Sequence, residues 1–477
     1  LPAETVTTTY TGNGRASTLV GTTGGTNTTL VAATAYDNTN RYIGRTLGTG
    51  TNTITRAVTY DGAGRLGTLA ATINSTPTPA IVQSDTYAYR AGTSQLIDTV
   101  TDNSTAGPSP GAGQKQCFTY DGRARLTRAW TSGTVACNLT TPNPNYTTGA
   151  GNPDPYNQQY AYNRIGNLTQ RVARTSATTS TTSNYCYPTA GSGQPHAVSR
   201  VTTGTCPGTG NDTYSYNADG SMTVRDLAGT TNDRQFNWDV LNRLCRVATT
   251  TATNCSTTSG TPTTFVYDPA GQLLVRTEPA SGGSIKTLYI EGHELRWANP
   301  NTAPRTATRY YTIAGTTIGT KVKQSVAASP VTSWLLANNQ GSANLAVTAA
   351  TTTASRQRYL PFGAQRGIGN ALDLVTERGF LGQTEDNTTK LDYLNARFYD
   401  PALQRFISVD PLADLANPQS INAYTYGLNN PNTYSDPTGL ISADAAERAA
   451  NNGATCSSKN MVINCTKPTT TPASTCS

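Results

Sequence analysis

The chain has 477 residues, of which 36% are hydrophobic and only 13% charged, with a formal net charge of +7. So low a charge excludes a solvated disordered chain, which requires a charge-rich composition. The Lys and Arg residues are scattered singly with no basic run, which excludes a nucleic-acid partner, and no apolar stretch is long enough to span a membrane as a helix.

What remains is β-structure. Thr and Tyr suit pleated surfaces and the 43 Gly suit turns. Twenty-five Tyr against seven Phe predict half-wet faces, each ring packed and its hydroxyl in water. No signal peptide is visible and the chain opens on Leu1-Pro2, so a fragment or processed product is expected.

From the start, an aromatic-plus-Asp plan recurs. Tyr60-Asp61-Gly62-Ala63-Gly64-Arg65-Leu66 is its clearest copy. Copies led by Tyr120-Asp121, Trp238-Asp239 and Tyr267-Asp268 follow it, and weaker ones begin at Tyr10, Tyr36, Tyr162 and Tyr216. Four residues after the aromatic stands Gly14, Asn40, Gly64, Gly166, Gly220, Asn242 or Gly271, with Ala124 the exception. Gly and Asn tolerate positive φ, so each copy predicts a strand, a tight turn and a returning strand. The Asp before the turn can accept bonds from its own turn amides. A lone hairpin is unstable, so successive units must pair into one continuous sheet.

Eight of the nine cysteines fall into sequential neighbours: Cys117 with Cys137, Cys186 with Cys206, Cys245 with Cys255, and Cys456 with Cys465. None has the spacing of a zinc site, and with only His196 and His293 beside them no metal is expected. Local disulfides are, and they imply an oxidising, extracellular setting. His196, in Gln194-Pro195-His196, reads as part of a turn.

Between about 285 and 390 the repeat loosens into strands such as 286–297, 308–322 and 333–347. Residues 391–440 are different: LDYLNARFYDPALQRFISVDPLADLANPQSINAYTYGLNNPNTYSDPTGL. Asp400-Pro401, Asp410-Pro411 and Asp436-Pro437 each predict a sharp turn, since Pro fixes its own φ and pushes the preceding residue out of the helical region. Beyond Leu440, Ser442 is a candidate cap for a short helix at 444–450, and 466–477 is a Thr/Pro/Ser tail.

This segment resembles the core of the Rhs/YD-repeat family, which includes bacterial polymorphic toxins, the C components of Tc toxins and teneurins. The residues that carry the resemblance are Arg397-Phe398-Tyr399-Asp400-Pro401, Arg405-Phe406, Asp410-Pro411, Asn422-Ala423-Tyr424-Thr425-Tyr426, Asn429-Asn430-Pro431 and Asp436-Pro437-Thr438-Gly439-Leu440. Gln404 stands where the family usually has Gly, and Ala413 where a Gly often follows Asp-Pro. The aromatic-plus-Asp plan is the YD repeat and extends the resemblance over residues 1–290. Two further matches are Tyr359-Leu360-Pro361-Phe362-Gly363 and the spacer around His196.

The resemblance implies an all-β fold in which YD-repeat hairpins form a continuous spiralling sheet, a partial or complete hollow shell capped by an Rhs core. It divides the chain into a repeat region (1–290), a connection (291–390), the core (391–440) and a short variable tail (441–477). It also implies self-cleavage after Leu440, with Asp410 and Asp436 as the carboxylate pair, Arg397 as the residue that steadies one of the two charges, and Leu440–Ile441 as the scissile bond. Two neighbouring carboxyls cannot both ionise easily, so one serves as acid and the other as base. Read without the resemblance, the same Asp residues are turn formers.

The phosphate-binding Gly loop, the zinc helix and the Gly-x-Ser-x-Gly elbow are all missing from the sequence. No cofactor is therefore expected, and the only enzyme activity in view is an intramolecular aspartyl-type autoprotease. The leading reading is a secreted or cell-surface scaffold whose partner is its own C-terminal cargo segment. Two others stand beside it: an adhesin binding cell-surface glycans through rows of Tyr, and a filament joining copies of the chain through open sheet edges.

Overall fold

The computed structural model describes residues 1–440, apart from 76–78, 93, 107–113, 133–136, 138–152, 175, 177–178, 190, 207–211, 231–232, 253, 300–304, 368–374 and 413–418, together with the backbone of 455–459 and 462–466. The expected helix at 444–450, Ala413 and the far side of the Leu440–Ile441 bond lie outside the described residues.

Alternation drives the strands. Along Ile54–Tyr60, Ile54 and Val58 are buried while Thr55, Ala57 and Thr59 face solvent, the period-two pattern of a half-buried strand. The strands from Thr5–Tyr10 to Ala354–Arg356 make one antiparallel sheet of 27 strands. It is a meander: each strand pairs with its neighbours in sequence, as Ile54–Tyr60 does with Tyr42–Leu47 and Leu66–Ile73. The sheet runs past residue 290 without a break in pairing, to Arg356.

The structure gives each residue of the repeat a job. Asp61 Oδ1 accepts from the amides of Ala63 and Arg65, both at 2.9 Å, and Asp61 Oδ2 holds Arg65 Nε at 2.7 Å. The Arg65 guanidinium then lies over the ring of Tyr89, at the end of the strand Ala80–Tyr89, 4.4 Å from its centroid. Tyr89 in turn donates its hydroxyl to the carbonyl of Leu66 at 3.0 Å. The same chain of contacts joins Asp121, Arg125 and Tyr162, whose hydroxyl reaches Leu126 O at 2.9 Å. Trp238 substitutes its indole N–H, which reaches Met222 O at 2.7 Å. The hydroxyls of these repeat tyrosines are therefore not in water, contrary to the half-wet faces expected from their abundance. They are spent on the backbone of the preceding unit, because a buried phenol needs a partner and the carbonyl beside each turn supplies one.

Gly64 has φ +79°, and Asn40 and Asn242 occupy the same left-handed place at +62° and +56°. Ala124 sits there too, at +61°, where a Cβ costs about 1 kcal/mol. Ala124→Gly is expected to stabilise the protein by about 1 kcal/mol, measured as a higher urea midpoint with an unchanged slope. A lower midpoint would mean that the Ala124 methyl packs usefully.

The sheet is not closed, but it curls until early strands pack against late ones. Leu19, Leu30, Ile54 and Ile73 pack with Ile313, Ile318, Trp334 and Leu345 in one apolar cluster. The Glu4 carboxylate, beside the first strand, binds Arg309, Tyr311 (3.0 Å) and Lys321 (3.4 Å).

A second, larger cluster unites the inner face of the middle strands, through Tyr160, Tyr185, Phe236 and Phe265, with Phe362, Phe398 and Tyr426 of the C-terminal segment. That segment carries its own sheet of Thr384–Asp386, Leu391–Leu394, Arg397–Asp400 and Arg405–Phe406. It sits inside the curl, and its Tyr393, Tyr424 and Asn422 bond to the turns at Gly271, Gly220 and Gly166. Gln404 adopts φ +65°, the conformation that Gly would occupy at no cost.

Three disulfides join Cys117 to Cys137, Cys186 to Cys206 and Cys245 to Cys255, with Cα separations of 5.8, 5.5 and 5.6 Å. Cys456 faces Cys465 in the register of the hairpin Thr455–Lys459 and Val462–Thr466, but their side chains lie outside the described residues. Each local bridge is worth about 2–4 kcal/mol. Peptide mapping without reductant is expected to recover the three bridged pairs; free thiols at these positions would contradict it.

Candidate functional site

Three turns and one strand build the site. Arg397 opens the strand Arg397–Asp400, which pairs with Leu391–Leu394 on one side and Arg405–Phe406 on the other. Its guanidinium is buried, 3.6 Å from the Phe406 ring centroid. Every nitrogen of that guanidinium has a partner: Nε donates to Gly439 O at 2.6 Å and Nη1 to Ala423 O at 2.9 Å. Nη2 contacts both Asp410 Oδ2 at 2.7 Å and Asp436 Oδ2 at 3.1 Å.

Each carboxylate arrives on an Asp-Pro turn. Asp410 is pinned by its own amide to Ala423 O at 3.0 Å, and its Oδ1 accepts from Leu412 N at 2.9 Å. The Oδ1 of Asp436 accepts from the amide of Leu440 at 3.2 Å, and the Thr438 hydroxyl stands at 3.4 Å from the same oxygen. Gly439 has φ +64°, and a Cβ there would lie 2.5 Å from Leu394 O, so no other residue fits this close approach. Arg397, Asp410, Asp436 and Leu440 are thus brought together around one short loop.

Burial pushes the Asp410 carboxyl up to about 6. Arg397 opposes that rise and the neighbouring Asp436 charge adds to it. A carboxyl of this kind exchanges its proton near neutral pH, as general acid–base work demands. Beside it lies a cavity of about 190 Å³ walled by Trp238, Leu244, Tyr267, Tyr393, Phe398 and Leu440.

Sequence reasoning missed the Thr438 hydroxyl, the Ala423 carbonyl and this aromatic cavity, since nothing in the local sequence marks them. His196, read as a turn residue, bonds Asn167 Oδ1 through Nδ1 at 2.8 Å and lends its carbonyl to Arg405. Among the described residues no cluster of His, Cys, Asp or Glu could hold a metal ion. No helix among the described residues is long and apolar enough to cross a membrane.

No protein-family model matches the chain. Over 108 residues, 22% of its length, the chain is 32% identical to Salivary gland surface protein 1 of Aedes aegypti, of which it covers 3%. Among solved structures, TcdB2-TccC3-Cdc42 aligns with 94% of the chain at TM-score 0.72 and 18% identity. TcdB2-TccC3 without its hypervariable C-terminal region aligns with 92% at TM-score 0.71 and 18% identity. These are Rhs/YD shell proteins. The fold is that of a YD-repeat shell. The chain spans 21% and 20% of the length of those two solved chains.

Proposed function

We propose that the chain is a secreted or cell-surface Rhs/YD scaffold that partly encloses its own C-terminal segment and cuts itself once, after Leu440. One observation carries the chemical half of this reading. A single Arg397 nitrogen touches both Asp410 and Asp436, while the other oxygen of Asp436 holds the amide of Leu440.

Arg397 brings two carboxyls close without leaving two bare negative charges. Asp410, raised by burial to about 6, holds the proton below that pH, and Asp436 is cast as the base. Water adds to the Leu440 carbonyl carbon and gives a proton to Asp436. The Leu440–Ile441 bond breaks as the departing Ile441 nitrogen takes a proton from Asp410. Burial around Arg397 strengthens each of these interactions relative to water.

The scaffold half rests on the YD-repeat shell fold, one of whose solved neighbours, TcdB2-TccC3, has a hypervariable C-terminal region. The extracellular half rests on the three disulfides, with which the name of the mosquito surface protein agrees. The intact mass of the denatured chain tests the proposal: a species ending at Leu440 supports it, and a fully matured chain still continuous through Ile441 defeats it.

A further inference from the structure

Where early and late strands of the curled sheet meet, a cavity of about 380 Å³ opens between the early strands and Thr316–Lys323 and Val331–Ala337. Its walls are mostly apolar, with Leu47, Val58, Leu69, Ile318 and Leu336 among them, and the rings of Tyr36 and Tyr42 line it too. Two arginines reach into these walls, Arg45 and Arg56.

Neither makes a direct ion pair among the described residues, although Gln83 links Arg56 to the Asp85 carboxylate. Arg45 is only 7% exposed, yet its side chain makes one hydrogen bond, from Nε to Thr34 Oγ1 at 3.3 Å, and stacks on Tyr42. Arg56 donates to neutral oxygens, Gln83 Oε1 at 3.0 Å and Ala337 O at 2.6 Å. Other buried guanidiniums are either paired with acids, as Arg225 is with Asp400 and Arg276 with Glu278 and Glu377, or met by several neutral oxygens, as Arg246 and Arg405 are; Arg45, with its single long bond, has neither. An unpaired buried cation is costly, and a structure tolerates it where an anion completes it. Burial also pulls both guanidiniums below their usual range, the direction that a bound anion would reverse.

We propose that this cavity binds a small amphiphilic anion, with a carboxylate head on Arg45 and Arg56 and an apolar chain against Leu47, Leu69 and Leu336. The site is far in sequence from Arg397 and independent of self-cleavage. Arg suits the head because its fork matches a carboxylate with two parallel bonds.

Decanoate is the probe, titrated calorimetrically into the full chain below its own aggregation threshold, with decanol as the uncharged match. The expected result is one saturable site for decanoate and binding at least tenfold weaker for decanol, since a charge-assisted bond to a buried guanidinium commands about that factor. Arg45→Gln should weaken decanoate at least tenfold and leave decanol unchanged. Equal affinity for the two compounds would overturn the proposal, as would a flat decanoate isotherm. If Arg45→Gln does not fold, the comparison of the two ligands on the unaltered protein decides alone. Arg56→Gln then serves as the second variant, and its failure to weaken decanoate would remove the paired-arginine head site.

Discussion

Asp410→Asn is expected to keep the chain continuous across Leu440–Ile441 while the parent accumulates a species ending at Leu440. The amide keeps the shape of the carboxyl, so Leu412 N can still bond to it and Arg397 retains Asp436, Gly439 and Ala423. What it loses is an exchangeable proton, worth on the order of 10²–10⁴ in rate for a positioned acid or base. The pH profile follows from the same group. With Asp410 raised to about 6 and needed in its protonated form, parent cleavage should fall about tenfold per pH unit above that value.

Stability depends on pH in the same sense. A carboxyl whose folded pKa lies above its unfolded value of about 4 binds more protons when folded, so stability declines as pH rises between the two values. Asn never ionises, so at pH 8 the variant should melt no lower than the parent. A time course of intact mass from pH 5 to 8 and a melting curve at pH 8 check both statements. A parent chain that never shortens would leave Asp410, Asp436 and Arg397 as a structural knot of turns.

The repeat was legible because its causes are local. Asp61, Gly64 and Arg65 lie within five residues, and the turn they form depends on nothing distant. The three disulfides were legible for the same reason, each closing a short loop between neighbouring strands. The carboxylate pair was reached only by resemblance: Asp-Pro at 410 and at 436 reads locally as two turns, and only the fold brings both to one Arg397 nitrogen. What stayed hidden is the buried charge. Arg225, Arg276 and Arg366 sit on alternating strands where any inward residue would suit the pattern. Their partners Asp400, Glu377 and the carbonyl of Asp154 lie 101 to 212 residues away in the chain. Period-two patterning says which side chains point inward, not which element fills the interior. The positive φ of Gln404 is another such place, where a residue breaks the local rule within a region that surrounding contacts hold firmly.

The Arg225–Asp400 pair fastens that interior element to the sheet, and Asp400→Asn is expected to destabilise the protein by about 3–5 kcal/mol. The two groups lie 2.8 Å apart, with side chains 5% and 3% exposed. Asp400 Oδ1 accepts from Ala402 N at 3.0 Å and Leu403 N at 2.9 Å, and Asn can keep both bonds, so the turn survives the change. Arg225 does not fare so well. It would be left charged inside the curl with Thr389 O as its remaining hydrogen-bond partner and the Phe236 ring 5.7 Å away. Much of the cost is thus the stranded cation, and adding Arg225→Met to Asp400→Asn should recover most of it. Asp98, which meets Arg90 at 3.4 Å with both side chains more than a third exposed, is the control. Asp98→Asn should change stability by less than about 1 kcal/mol, because water and salt already screen that pair. Urea midpoints of the three variants against the parent decide the matter: if Asp400→Asn unfolds with Asp98→Asn, the core is held by its aromatic contacts and the buried pair contributes nothing.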